Sequence, residues 1–226
     1  MGKRIGIITG GGDAPGLNAV IRAIVKAAAM RGWDCIGFLA GFEGLLDGGH
    51  FMPLDYKDMG GLLYRGGTIL GTTNRGHFAA KTGHGDVQRV PPEVMAEAIE
   101  TFHKLELTAL ICIGGDGSLT IAQQLYEAGI PLVGVPKTID NDLESTLMTF
   151  GFESAVSCAV DALDRLHSTA ESHDRIMVLE VMGRYAGWIA LEGGLAGGAD
   201  VILIPEVPFD PEVVLQRCRD REKGLH

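Results

Sequence analysis

The sequence predicts an α/β protein, mostly parallel sheets with helices on both faces, and three observations predict it. Short β-branched runs alternate with stretches of helical periodicity along the whole chain. The 33 glycines cluster rather than scatter, and two clusters directly follow such runs: Gly10–Gly12 with Gly16 after RIGII, and Gly114–Gly115 with Gly117 after LICI. The composition, 46% hydrophobic and 21% charged over 226 residues, is that of a globular chain able to bury a core without disulfides or structural metal.

Taken in order, strands are expected at Arg4–Ile8, Asp34–Leu39, Ala109–Ile113, Pro131–Val135, Arg175–Glu180 and Val201–Ile204. Helices are expected at Leu17–Arg31, Pro92–Leu105, Ser118–Glu127, Phe152–Thr169, Tyr185–Leu195 and Pro211–Lys223. In the fourth of these, Val156, Ala159, Val160 and Leu163 form one stripe with Asp161, Asp164 and Arg165 off it, which is a surface helix packing one face. It follows the polar stretch Lys137–Thr149, which reads as a crossing between lobes and sets a boundary near residue 150. The expected architecture is therefore two Rossmann-like lobes, 1–150 and 151–226, with the active site between them. Ligands of such sheets sit beyond the carboxyl ends of the strands, where the glycines lie.

Charge narrows the function classes. With 19 Lys+Arg against 29 Asp+Glu the formal net charge is −10, which argues against sequence-independent nucleic-acid binding and against an anionic membrane surface. No apolar run approaches membrane-spanning length, and the opening MGKRIGIITGGG breaks into glycine before a signal peptide's apolar core could form. The four cysteines, Cys35, Cys112, Cys158 and Cys218, show no metal-ligand spacing, so a reduced cytoplasmic protein is expected.

Four loops carry the chemistry. TGGGDAPGLN fits neither the dinucleotide pattern GxGxxG nor a P-loop, since Leu17 and Asn18 stand where Lys and Ser/Thr are needed. Its freed backbone N–H groups before a helix suit an anion; the alternative is a tight turn with Asp13 as a solvated cap. IGGDGSLT sets Asp116 among Gly114, Gly115 and Gly117, an arrangement for phosphate plus a hard cation, with Ser118 as phosphate donor or helix cap. PKTIDND brings together Lys137, Thr138, Asp140, Asn141 and Asp142, either a polar turn or a base with its partner. EVMGRYAGW places Arg184 between a strand and a helix, where a guanidinium can offset charge on a transferring phosphoryl group or lie exposed without a partner.

Together these loops resemble the phosphofructokinase family. TGGGDAPGLNAVIRA, RGGTILGTTNRG, IGGDGS, PKTIDND, GFESAV, SHDRIMVLEVMGRYAGWIAL and GLAGGADVILIPE occur in family order from Lys3 to about Pro208. The resemblance implies phosphoryl transfer from ATP to the 1-hydroxyl of fructose 6-phosphate, with Mg2+, in a homo-oligomer, a dimer or a tetramer. On the matching positions Asp140 is the implied general base, with Thr138 and Arg184 catalytic beside it. Gly12, Asn74, Arg75, Gly115, Asp116, Gly117, Ser118 and Lys137 are implied on the donor side, with Asp116 the metal ligand. Thr138, Ile139, Asp140, Asp142, Arg175, Met182, Gly183 and Arg184 are implied for the sugar phosphate, Arg175 reaching across a subunit interface.

The donor signals are mixed. Gly117 leaves open the space that an aspartate occupies in pyrophosphate-using members, which favours ATP, whereas Lys137 stands where those members carry lysine. Ile121 and Asn74 also depart from the pattern of many bacterial ATP-using members. Arg22 and Lys26 match basic positions of an effector site and Asp200 an acidic one, with His167 replacing an arginine; a solvated helical face is the alternative. Family members continue well beyond His226 with further sugar-phosphate ligands, so the resemblance also admits an incomplete chain or a catalytically silent fragment.

Overall fold

The computed structural model describes residues 2–73, 76–78, 88–144 and 146–222. The chain divides into two compact units, Met1–Thr138 and Ile139–His226. The units part earlier than residue 150 because the crossing segment belongs to the second one. Ile139 packs on the cluster of Phe152, Ala159 and Ile189, and the Thr149 amide donates to Asn141 Oδ1 at 3.0 Å.

The first unit is built on strands β1 (Arg4–Thr9), β2 (Asp34–Phe38), β3 (Phe51–Pro53), β4 (Ala109–Gly114) and β5 (Leu132–Thr138), in the spatial order β3-β2-β1-β4-β5. β1 pairs in parallel with β2 and β4, and β4 in parallel with β5; only β3 is antiparallel, on β2. The register sets Ile7 beside Ile111 on one face and Ile8 beside Cys112 on the other, so both faces of β1 and β4 are apolar. Both faces are buried, which is why these strands read as continuous apolar runs rather than as alternation.

Helices α1 (Leu17–Ala29), α2 (Pro92–Lys104) and α3 (Asp116–Glu127) cover the sheet. Val94, Ala98 and Phe102 of α2 and Ile121, Ala122 and Leu125 of α3 join Ile8, Phe38, Leu110 and Cys112 in one core cluster. Ile5 and Ile7 point the other way and are buried too, and α1, which packs on β1 and β2, turns its stripe Leu17, Ile21, Val25 and Ala28 inward. Proline at the first turn of α2 fixes its start. Among the described residues between β2 and α2 run three short 3-10 helices, Gly41–Leu45, Tyr56–Met59 and Leu62–Tyr64, none of which the apolar periodicity announces.

The second unit holds β6 (Phe150–Gly151), α4 (Phe152–Ser172), α5 (Trp188–Ala196) and α6 (Pro211–Glu222). Here two expectations need correction. Neither Arg175–Glu180 nor Val201–Ile204 forms a strand. Both are rich in β-branched or aliphatic residues, but a strand also needs a ladder with a neighbour, and these segments instead line a cavity of about 310 Å³ together with Leu163, Ile189 and Val214. Ile176 and Val178 are left 68% and 87% exposed, as unpaired segments would leave them.

Cys35 and Cys112 are buried, as their apolar runs predict, and burial pushes the Cys35 thiol up to about 11 and the Cys112 thiol higher still. No helix among the described residues is long and apolar enough to cross a membrane.

Candidate functional site

In the first unit the turns after β1 and β4 and the carboxyl end of β5 meet at one rim of the sheet. Parallel pairing brings the carboxyl ends of these strands together, and the Gly10 amide donates to the Ile113 carbonyl at 2.9 Å, fixing the first turn to β4. Ser118, in the first turn of α3, is 7% exposed and wedges between the two glycine turns. A Cβ on Gly10 would lie 2.5 Å from Ser118 Oγ, and one on Gly114 would lie 2.9 Å from the same atom. Glycine is required at both positions by this close approach rather than by flexibility.

Gly11 has φ +77°, in the left-handed region, and turns the chain into α1. Its carbonyl accepts from Thr72 Oγ1 at 2.6 Å, and the next carbonyl, that of Gly12, accepts from Lys137 Nζ. Lys137 is 4% exposed, and burial draws its ammonium pKa down while Asp13 acts in the opposite sense. A cation is thus held against the glycine turn in a dry place, where its field is least screened.

Gly12 and Gly117 face open space, with no heavy atom within 4 Å of where a Cβ would stand, while Gly115 is backed by the Lys137 carbonyl at 3.2 Å. Asp116 lies exposed at the start of α3, and its carbonyl accepts from Thr120 Oγ1 at 2.9 Å. Among the described residues no group of three or more His, Cys, Asp or Glu is placed to hold a metal. One accessible carboxylate beside an anion cradle does fit magnesium, which commonly binds one or two carboxylates plus phosphate oxygens and water. Asn74 and Arg75 lie outside the described residues. Thr138 ends β5.

In the second unit the turn after Ile139 is shaped by Asn141, whose φ of 52° is the left-handed conformation that asparagine tolerates. Its side chain accepts the Thr149 amide, closing the loop on itself. Asp140 is half-buried, with its Oδ1 fully so, and Asp142 is exposed. Burial and, to a lesser extent, the Asp142 charge hold the Asp140 carboxyl above the usual carboxylate range. A carboxylate so raised is a stronger proton acceptor than an exposed one.

Met182 and Arg184 are exposed, and Gly183, at φ +127°, lies between them. The Arg184 guanidinium lies 5.9 Å from the Tyr185 ring centroid. The segment is anchored just beyond by the Gly187 amide, which donates to Glu206 Oε1 at 2.8 Å. Arg175 follows the end of α4, exposed, with its amide on the Ala170 carbonyl. Of the residues considered for an effector site, Asp200 is paired with Arg221 and Arg217, His167 Nε2 meets the Gly197 carbonyl at 2.7 Å, and Lys26 lies over the Tyr56 ring at 5.2 Å.

Sequence reasoning missed a second group of residues. Thr9 and Asn18, 0% and 2% exposed, pin the segment 65–71 to the first turn. Thr9 Oγ1 donates to the Gly71 carbonyl at 2.9 Å; Asn18 Nδ2 donates to the Arg65 carbonyl at 2.8 Å and Asn18 Oδ1 accepts the Ile69 amide at 2.9 Å. A polar side chain on the buried stripe of α1 is the signal that could have found Asn18.

A family model described as Phosphofructokinase matches residues 4–226. Among curated relatives, the chain is 56% identical over 220 residues to the ATP-dependent 6-phosphofructokinase of Chloroflexus aggregans, covering 97% of this chain and 61% of the relative. It is 50% identical over 224 residues to the pyrophosphate–fructose 6-phosphate 1-phosphotransferase of Amycolatopsis methanolica, covering 99% and 62%. Among solved structures, Pichia pastoris phosphofructokinase in the T-state superposes with a TM-score of 0.84 at 36% identity, over 99% of this chain and 25% of that one. The pyrophosphate-dependent phosphofructokinase of Marinobacter aquaeolei gives 0.79 at 27% identity, over 98% and 58%. The chain spans about three-fifths of the length of the curated relatives it matches.

Proposed function

The chain belongs to the phosphofructokinase family, and from that premise we propose that it carries the donor and base machinery of an ATP-dependent 6-phosphofructokinase. The observation that supports this most is the convergence of Gly10–Gly12, Gly114–Ser118 and Lys137 at one rim of the first unit. In this reading 1–150 is the donor lobe and 151–226 is part of the fructose 6-phosphate lobe. Asn74 and Arg75 join the donor side, and Gly12, Gly115, Gly117 and Ser118 line the phosphates of ATP.

Asp140 takes the proton of the 1-hydroxyl of fructose 6-phosphate as that oxygen bonds to the γ-phosphorus. The bond from phosphorus to the β–γ bridging oxygen breaks, and ADP and fructose 1,6-bisphosphate leave. The raised pKa of Asp140 suits it to hold that proton and later release it. Thr138, Ile139 and Asp142 orient the sugar phosphate around the base, with Met182, Gly183 and Arg175. Arg184 offsets charge on the phosphoryl group in transit, and Arg175 serves a neighbouring subunit of a dimer or tetramer in the cytoplasm. Asp116 would hold Mg2+, which would supply neutralising charge to the donor phosphates.

Pyrophosphate is the second reading for the donor, favoured by the buried Lys137 ammonium on the Gly12 carbonyl. ATP is preferred because the space beside Gly117 is open. The test is a coupled assay of the folded 226-residue chain with fructose 6-phosphate, Mg2+ and either donor. ATP-dependent turnover is expected, and Asp140→Asn lowers it by about 10²–10⁴ without weakening substrate binding. Pyrophosphate-only turnover selects the second reading. A folded chain silent with both donors favours the reading of a catalytically silent fragment that binds phosphate or pairs with longer subunits, and near-normal turnover of the variant removes Asp140 as base.

A further inference from the structure

We propose that Thr72 is a positioning residue for the phosphoryl donor, acting as a latch on the peptide unit between Gly11 and Gly12. The inference rests on the reading of this rim as a phosphate cradle. That peptide unit has no Cβ on either flank, so turning it over meets little steric resistance. One orientation offers the Gly12 N–H to an anion, and the other would offer the Gly11 carbonyl oxygen, which repels it. The peptide is planar and trans, so its C=O and N–H point in opposite directions. With the Gly11 carbonyl held on Thr72 Oγ1 at 2.6 Å, the Gly12 N–H faces away from Thr72, at the residue beside which space is open.

The latch is itself held still. Thr9 Oγ1 donates to the carbonyl of Gly71, the residue before Thr72, and also lies 3.1 Å from Thr68 Oγ1. Asn18 grips Arg65 and Ile69 in the same segment. Two almost fully buried polar side chains therefore fix the strap that presents the Thr72 hydroxyl. Little side-chain or backbone entropy is left to lose when the hydroxyl meets the Gly11 carbonyl. Lys137 restrains the following carbonyl, so consecutive peptide units are tied back from two sides.

The experiment measures binding of magnesium pyrophosphate and magnesium ATP by calorimetry, with thermal unfolding in parallel. Thr72→Val keeps the side-chain shape and removes the donor, and it should weaken both anions about fivefold, the worth of one neutral hydrogen bond. Thr72→Ser, which keeps the hydroxyl, should restore binding, and fructose 6-phosphate affinity should not move in either variant. Unchanged anion affinity in a folded Thr72→Val overturns the latch while leaving the proposed function standing. Absence of anion binding by the unsubstituted chain defeats both. Should Thr72→Val fail to fold, the Gly12 amide resonance of the unsubstituted chain decides the matter: it should shift on adding magnesium pyrophosphate, and a stationary Gly12 signal among shifting neighbours overturns the latch.

Discussion

Replacing Gly10 by alanine tests whether the two glycine turns are as tightly apposed as described. The added Cβ would stand 2.5 Å from Ser118 Oγ, 2.9 Å from Ser118 Cβ and 3.3 Å from a ring carbon of Phe42. Comfortable carbon contacts begin near ~3.5 Å, so about 0.6 Å must be recovered from Ser118 Cβ alone. That atom is fixed to the first turn of α3, so relief requires moving a helix end or opening the turn rather than swinging a flexible tip. Overpacking of this kind costs about 1–3 kcal/mol. With a urea slope of about 2 kcal/mol/M the midpoint should fall by about 0.5–1.5 M. Trp33 fluorescence in a Trp188→Phe background reports this unit alone. Ser118→Gly removes both obstructing atoms, whereas Ser118→Ala removes only Oγ, so Gly10→Ala should be rescued more by the former. A coupling of about 1–2 kcal/mol is expected for the Gly10→Ala, Ser118→Gly pair. An unchanged midpoint for Gly10→Ala, or strictly additive single effects, would refute the apposition.

Four other substitutions probe the site. The folded pKa of Asp140 is raised, so the folded state binds that proton more tightly than the unfolded one, and stability is lost as pH rises from the ordinary carboxylate range through the raised value; Asp140→Asn should therefore raise the unfolding midpoint at pH 7 but not at pH 3, and an equal gain at both would deny the burial penalty. Removing the neighbouring charge with Asp142→Asn eases ionisation of Asp140, so the acid limb of the kcat/KM profile should move to lower pH, whereas a move to higher pH contradicts the assigned cause. Asn141→Ala loses both a tolerated left-handed conformation and the bond to the Thr149 amide, and should cost about 2 kcal/mol in denaturant unfolding, with Asn141→Gly costing less. A Cβ at Gly117 meets no heavy atom within 4 Å, so Gly117→Asp should fold normally, yet it should impair ATP use more than pyrophosphate use in the coupled assay; equal impairment would undo the preference for ATP.

Much of the first unit was legible because its strands are buried on both faces and its helices carry one apolar stripe. Expected strand Ala109–Ile113 is observed as Ala109–Gly114, and expected helix Pro92–Leu105 as Pro92–Lys104. The region from Gly41 to Tyr64 was not legible, since 3-10 turns and a three-residue edge strand are too short to express a period. In the second unit, Arg175–Glu180 shows the opposite failure: the residues favour extension, but composition says nothing about whether a neighbour will pair with it. The glycine turns of the site could be read from the chain because glycine marks open or crowded backbone. Thr72 could not, because its partner Gly11 is 61 residues away and a threonine in a loop announces no partner.

The rim has a temporal consequence. Lys137 reaches the Gly12 carbonyl across 125 residues of chain, and the Gly10 amide reaches Ile113. Closing loops of that length comes late, since ordering entropy must be lost before such distant contacts can compensate it. During synthesis the opening GGG turn would emerge long before the lysine that steadies it. Capture of a polyphosphate would then be a certificate of completed folding, trailing the appearance of helix in any refolding experiment.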